Sequence, residues 1–132
     1  MIFGPLSQDV LNSAESTSIA IAASDGTTKV YSKSFSLAYA RDMALKGAFT
    51  VTTGSVNVKV QLQIGLAVPT TEGAADASWV MHSTLKTVTD ENSFAVPMAP
   101  APLAFARYVF TGLTGNHASN TFRGYYTRQE EM

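Results

Sequence analysis

Across residues 56–66 every second position is aliphatic: Val56, Val58, Val60, Leu62, Ile64 and Leu66 alternate with Asn57, Lys59, Gln61, Gln63 and Gly65. Successive side chains of a strand point to opposite faces, whereas a helix would scatter these residues around its circumference. The segment is therefore predicted as an antiparallel strand with one face on a core and the other toward water, each buried aliphatic group contributing about 1.5–3 kcal/mol. Phe35, Leu37 and Tyr39 repeat the alternation, and Phe49 and Val51 do so again before Thr53-Gly54-Ser55, so residues 48–60 read as a hairpin. Between these stretches, Leu37, Ala40, Arg41, Ala44 and Leu45 fit either a short amphipathic helix or a bulged crossover. Two strands with a break near Arg41-Asp42 are the preferred reading.

Further along, Trp79 and Met81 mark a short strand over residues 78–82, and residues 92–96 form another that stops at Pro97. The run from Pro97 to Pro102 lacks ladder donors and predicts an extended connection. Residues 103–111 resume a strand, Gly112-Leu113-Thr114-Gly115-Asn116 supplies a turn, and residues 121–127 close the fold. With a first strand over residues 17–22 and a hairpin-turn signal at Asp25-Gly26, the count reaches about eight strands and no long helix. That spacing predicts an all-β antiparallel sandwich of jelly-roll or Greek-key type.

Residues 17–132 are assigned to one sandwich domain and residues 1–16 to an N-terminal arm. Ile2, Phe3, Leu6, Val10 and Leu11 make this arm apolar without giving it a strand period, and they are the candidate partner-binding residues. Two readings of the arm follow: it is ordered against a neighbouring subunit, or Phe3 and Leu6 pack on the chain's own sandwich as an added edge strand.

Composition narrows the function. At 132 residues, 45% hydrophobic and 14% charged, the chain is long enough for one real core and too apolar for a disordered segment. A net charge of -1 leaves no electrostatic footprint for nucleic acid. No apolar run reaches a membrane span, and the first residues do not read as a signal peptide, so no membrane partner is expected and synthesis in the cytoplasm is. There is no cysteine, hence no disulfide, thiolate nucleophile or cysteine metal site.

Candidate chemistry is sparse. His82 and His117 are the two histidines, and neither belongs to a ligand pair, so structural or surface roles are expected. No nucleophile elbow or phosphate-binding glycine pattern occurs. Asp90-Glu91-Asn92 groups three oxygen-bearing side chains without the spaced ligands of a calcium loop, and reads as a solvated turn. No catalytic residue, metal or cofactor is assigned. Trp79 is expected to fill the core between sheets, as a lone Trp of a small sandwich does. Trp79, Tyr125 and Tyr126 together are the alternative, an aromatic platform for a sugar ring, and because Tyr125 and Tyr126 are adjacent on a strand one must face inward and one outward. Arg107 and Arg123 should point outward, to solvent or to a carboxylate.

The strand SFSLAYARDMALKG, the alternating VNVKVQLQIG, the approach Asp76-Ala77-Ser78-Trp79 and the stretch PLAFARYVFTGLTGNHASNTF resemble the small accessory structural proteins of tailed-bacteriophage virions. The likeness spans residues 34–128 and is closest to capsid decoration or cement proteins. It implies a non-enzymatic protein on the capsid surface, bound to the major capsid protein or another virion protein. It also implies a symmetric homo-oligomer, with a trimer expected. A head-tail connector, tail or fibre component belongs to the same class, and a carbohydrate-binding module is the alternative from another class.

Overall fold

The computed structural model describes residues 3–12, 14–36, 40–51, 55–65, 79–89, 93–98 and 105–131. Among them lie ten strands. The first five are β1 (Phe3–Asp9), β2 (Ile19–Ala20), β3 (Lys29–Tyr31), β4 (Phe35–Ser36) and β5 (Ala40–Thr50). The others are β6 (Asn57–Gly65), β7 (Trp79–Thr89), β8 (Ser93–Met98), β9 (Phe105–Gly112) and β10 (Thr121–Glu131). All pairings are antiparallel and make two five-stranded sheets, one ordered β1-β10-β5-β8 with β2 also on β10, the other ordered β3-β9-β6-β7 with β4 also on β9.

The two-residue strands are continuations of their predecessors. β1 pairs with the far half of β10, Asp9 opposite Tyr125, the Val10 amide donates to the Gly124 carbonyl, and β2 resumes with Ile19 opposite Phe122. Likewise β3 ends with Tyr31 opposite Val109 and β4 resumes with Phe35 opposite Ala106. At this second break Ser32 keeps the ladder satisfied: its amide donates to the Tyr108 carbonyl, and its hydroxyl accepts from the Tyr108 amide at 2.8 Å. Counting each broken strand once leaves eight, and they nest first with last: β1/β2 on β10, β3/β4 on β9, β5 on β8, β6 on β7. This is the double-sheet jelly roll, folded from one long hairpin.

The core lies between the sheets. Val56, Val58, Val60, Leu62 and Ile64 are all buried, while Asn57, Lys59, Gln61 and Gln63 lie on the outward face, as the alternation requires. Facing them from β5, β8 and β10 are Leu45, Phe49, Phe94 and Phe122, with the Phe122 ring tilted against Phe110 at 4.8 Å between ring centroids. Tyr126 is the inward member of its pair; its hydroxyl donates to Gln8 Oε1, and its ring stacks on Phe35 at 4.3 Å. Burial and the neighbouring Tyr126 push the Tyr108 hydroxyl well above the usual phenol range.

Several expected connections differ. Residues 48–60 are not a hairpin, because β5 and β6 belong to opposite sheets; alternation identifies a strand but not its partner. Asp25-Gly26 does form a turn, with Gly26 at φ 76° and Asp25 Oδ1 accepting from the Thr27 and Thr28 amides, yet it joins two sheets. β5 runs unbroken through Arg41-Asp42, where the register shifts so that two residues oppose one: the irregularity is a β-bulge. β8 continues through Pro97, which is tolerated because the strand is an edge. β7 runs on to Thr89, beyond the short strand expected.

Over Phe3–Asp9 the backbone is an edge strand paired with β10, while the side chains of Phe3 and Leu6, on which the two readings of the arm turn, lie outside the described residues. β1 and β2 lie on the same side of β10.

Candidate functional site

The outward faces of the two sheets carry the chemistry. On the β9 sheet, Arg107 projects from the middle of the sheet and is 0% exposed. Its guanidinium carbon lies 3.9 Å from the Tyr31 ring centroid and 4.4 Å from that of Trp79, and its Nε donates to Gln63 Oε1 at 2.8 Å. An Arg held between two ring faces is stabilised by cation–π attraction, about 2 kcal/mol per desolvated contact. This corrects the expectation of a solvated Arg107. Trp79 is buried as expected, at 7% exposure, but on the wrong side. It stands opposite the outward-facing Gly65 and over Arg107, outside the core cluster.

On the β10 sheet the outward row across the strands reads Asp9, Tyr125, Lys46, Ala95, each residue opposite the next. The neighbouring row reads Arg123, Ala48, Ser93. Ala48 and Ser93 are short, so they leave a depression among longer side chains. The resulting groove, of about 360 Å³, is lined by Asp9, Thr17, Lys46, Arg123 and Tyr125 around a floor that includes Gly47 and Gly124. Those two glycines stand opposite each other because the Phe122 ring folds across their inner side; a Cβ on Gly47 would lie 2.4 Å from that ring, and one on Gly124 2.6 Å. Among the described residues, the side chains of Asp9, Lys46, Arg123 and Tyr125 have no hydrogen-bond or ion-pair partner. Tyr125 is half-buried and is the outward member of the tyrosine pair.

A second cleft, of about 330 Å³, opens where β1 and β3 break off, between residues 8–11 and 32–36 with Tyr126 at its base. Its rim is closed by the Lys33 amide donating to the Leu11 carbonyl and by the Lys33–Glu15 ion pair. At the end of β9, Asn116 is a buried hub that pattern reading missed. Its Nδ2 donates to the Ile21 and Ala23 carbonyls at 2.9 and 3.0 Å, and its Oδ1 accepts from the Asn57 amide and Asn120 Nδ2. An Asn in a Gly-rich turn carries no signal that separates this structural role from ordinary turn chemistry.

The two histidines are not brought together. His82 is exposed at a register shift near the end of β6, while the His117 amide donates to Ser55 at its start, about 25 Å of strand away. His117 Nδ1 accepts from the Ser119 amide at 3.0 Å, a local turn contact. Of the arm residues, Val10 is buried in the chain's own core and Leu11 is half-buried, so Val10 is not open to a partner while β1 is paired. Ile2, the side chains of Phe3 and Leu6, and Asp90-Glu91-Asn92 lie outside the described residues.

No family model matches the chain, and no curated protein does. Among solved structures it is similar to the crystal structure of FlhE, at 10% identity and TM-score 0.44, covering 98% of each chain. It is also similar to CBM86, a low-affinity xylan-binding module from Roseburia intestinalis, at 8% identity and TM-score 0.46, covering 99% of this chain and 97% of that one. A third likeness is to the catalytic domain of a GH87 α-1,3-glucanase in complex with nigerose, at 11% identity and TM-score 0.34, covering 98% of this chain and 26% of that one. None of these three is a virion protein, and at such identities and TM-scores the likenesses say nothing of ligand or partner.

Proposed function

We propose that the protein is a non-enzymatic virion component of the capsid decoration or cement type. In this reading it docks on the major capsid protein at the capsid surface as a symmetric trimer. The observation that supports this is β7, an eleven-residue strand at the end of its sheet order. It carries the exposed large hydrophobic residues of the described chain, Val80 at 45% and Met81 at 40% exposure. Val80 stands opposite the core residue Ile64 and Met81 opposite the outward Gln63, so the two project to both sides of the edge. A neighbouring subunit packed on this edge covers both. Val80→Lys with Met81→Lys should leave the thermal midpoint nearly unchanged and abolish co-sedimentation with the particles. Unchanged co-sedimentation would remove β7 from the docking surface.

A second reading, a saccharide-binding module without catalysis, is favoured by the Tyr125 groove. A half-buried aromatic ring flanked by unpaired polar groups suits a sugar, whose ring has an apolar face and a polar rim.

A further inference from the structure

We propose that the Tyr125 groove selects a saccharide bearing a carboxylate, a uronate-type unit, over a neutral one; this rests on the saccharide-binding reading and names its ligand class. The argument is charge complementarity at one place. Two cations, Lys46 and Arg123, line the groove against one carboxylate, Asp9. None of the three has a hydrogen-bond or ion-pair partner among the described residues. The same surface does not neutralise itself, although Asp9 and Lys46 flank Tyr125 on its two neighbouring strands, because the tyrosine stands between them.

The placement fits one sugar unit in one orientation. Tyr125 supplies the surface for the apolar face of the ring. Arg123 lies two residues before it on the same strand, about 7 Å away along the outward face. Lys46 lies on the adjacent strand about 5 Å away. A carboxylate on the ring sits between these two cations, where the guanidinium fork provides paired donors. Asp9, on the opposite side of Tyr125, accepts from ring hydroxyls, and Ser93 and Thr17 add further hydroxyl partners. A neutral sugar leaves both cations unused, and an isolated anion leaves the ring surface and Asp9 unused.

Amide chemical-shift titration of the intact protein with trigalacturonate, galactotriose and acetate tests the proposal. Trigalacturonate should shift the amides of residues 46–48 and 123–125, with an affinity at least tenfold above that of galactotriose. That affinity should fall at least tenfold in Arg123→Gln and in Tyr125→Ala and weaken with added salt. Both variants alter outward positions and should retain the dispersed spectrum of the parent. Equal affinity for the acidic and neutral trisaccharides would overturn the acid preference and leave the saccharide reading standing. Acetate binding as tightly as trigalacturonate would overturn the ring platform, and no shift with either trisaccharide would overturn both the preference and the saccharide reading.

Discussion

The outward faces of the two sheets hold the same ingredients, an arginine among aromatics on a central strand, and finish in opposite states. On the β9 sheet Arg107 is enclosed by Tyr31, Trp79 and Gln63. On the β10 sheet Arg123 looks across Ala48 and Ser93, and where β1 gives way to β2 no strand residue stands opposite it. The outcome follows the flanking residues: the Tyr31 and Trp79 rings, each one register pair away, close over Arg107, whereas Ala48 and Ser93 in the row of Arg123 are short. Large planar neighbours desolvate an arginine and fix it as part of the structure; small ones leave it standing over a groove, ready for something from outside. On one face the arginine is part of the packing, and on the other it stands exposed beside the groove.

The sharpest way to break this comparison is to truncate both arginines. Arg107→Ala removes two ring contacts and a charged hydrogen bond, and should cost about 3 kcal/mol in urea unfolding. Arg123→Ala should cost under about 0.5 kcal/mol. Equal losses would mean that the two faces do not differ in the way described. A smaller effect comes from giving the β10 sheet the neighbours of the β9 sheet. Ala48→Tyr should fill the groove and remove the proposed saccharide binding, while changing stability by less than about 1 kcal/mol. Retained binding in that variant would show that the ligand sits elsewhere.

The smallest effect lies away from both faces, at the turn that links the sheets. Hydrogen bonds from Thr28, by hydroxyl and amide, and from Thr27 hold the Asp25 carboxyl well below the usual carboxylate range. The Glu15 carboxyl is lowered in the same direction by Lys33. A depressed carboxylate stabilises the fold fully above its unfolded value near pH 4, and that contribution is lost as pH falls through the lower folded value. Asp25→Asn should therefore melt slightly below the parent at pH 6, with the gap closing from about pH 4 downward. A gap independent of pH would contradict the assignment. Because Asp25 is fully exposed, the shift should be small beside the arginine effects.

Much of the architecture was legible in the sequence for a local reason, and much of the site was not for a nonlocal one. The strict alternation at Val58, Val60, Leu62 and Ile64 predicts a strand face that the core confirms, and about eight strands were expected where eight nested tracks are found. Alternation is silent on partners, which is why residues 48–60 read as a hairpin while β5 pairs with β8 and β10. The irregularity at Arg41-Asp42 was visible, and only the pairing with β10 shows it to be a bulge. The opposite facing of Tyr125 and Tyr126 follows from strand geometry alone. The groove beside Tyr125 does not: it depends on Lys46 and Ala48, some eighty residues away in sequence and brought opposite by the roll. The surroundings of Arg107 and Trp79 are hidden from the sequence for the same reason, since Tyr31, Gln63, Trp79 and Arg107 come from four different strands.

In the proposed reading the domain docks on a virion lattice through the β7 edge. Cryo-electron microscopy of the particles with which the chain co-purifies tests it most directly. The account predicts jelly-roll density on the outer capsid surface in threefold clusters, with Val80 and Met81 of β7 covered by a neighbouring subunit. Particles whose capsid carries no such density, or density in which β7 faces open solvent, would contradict it.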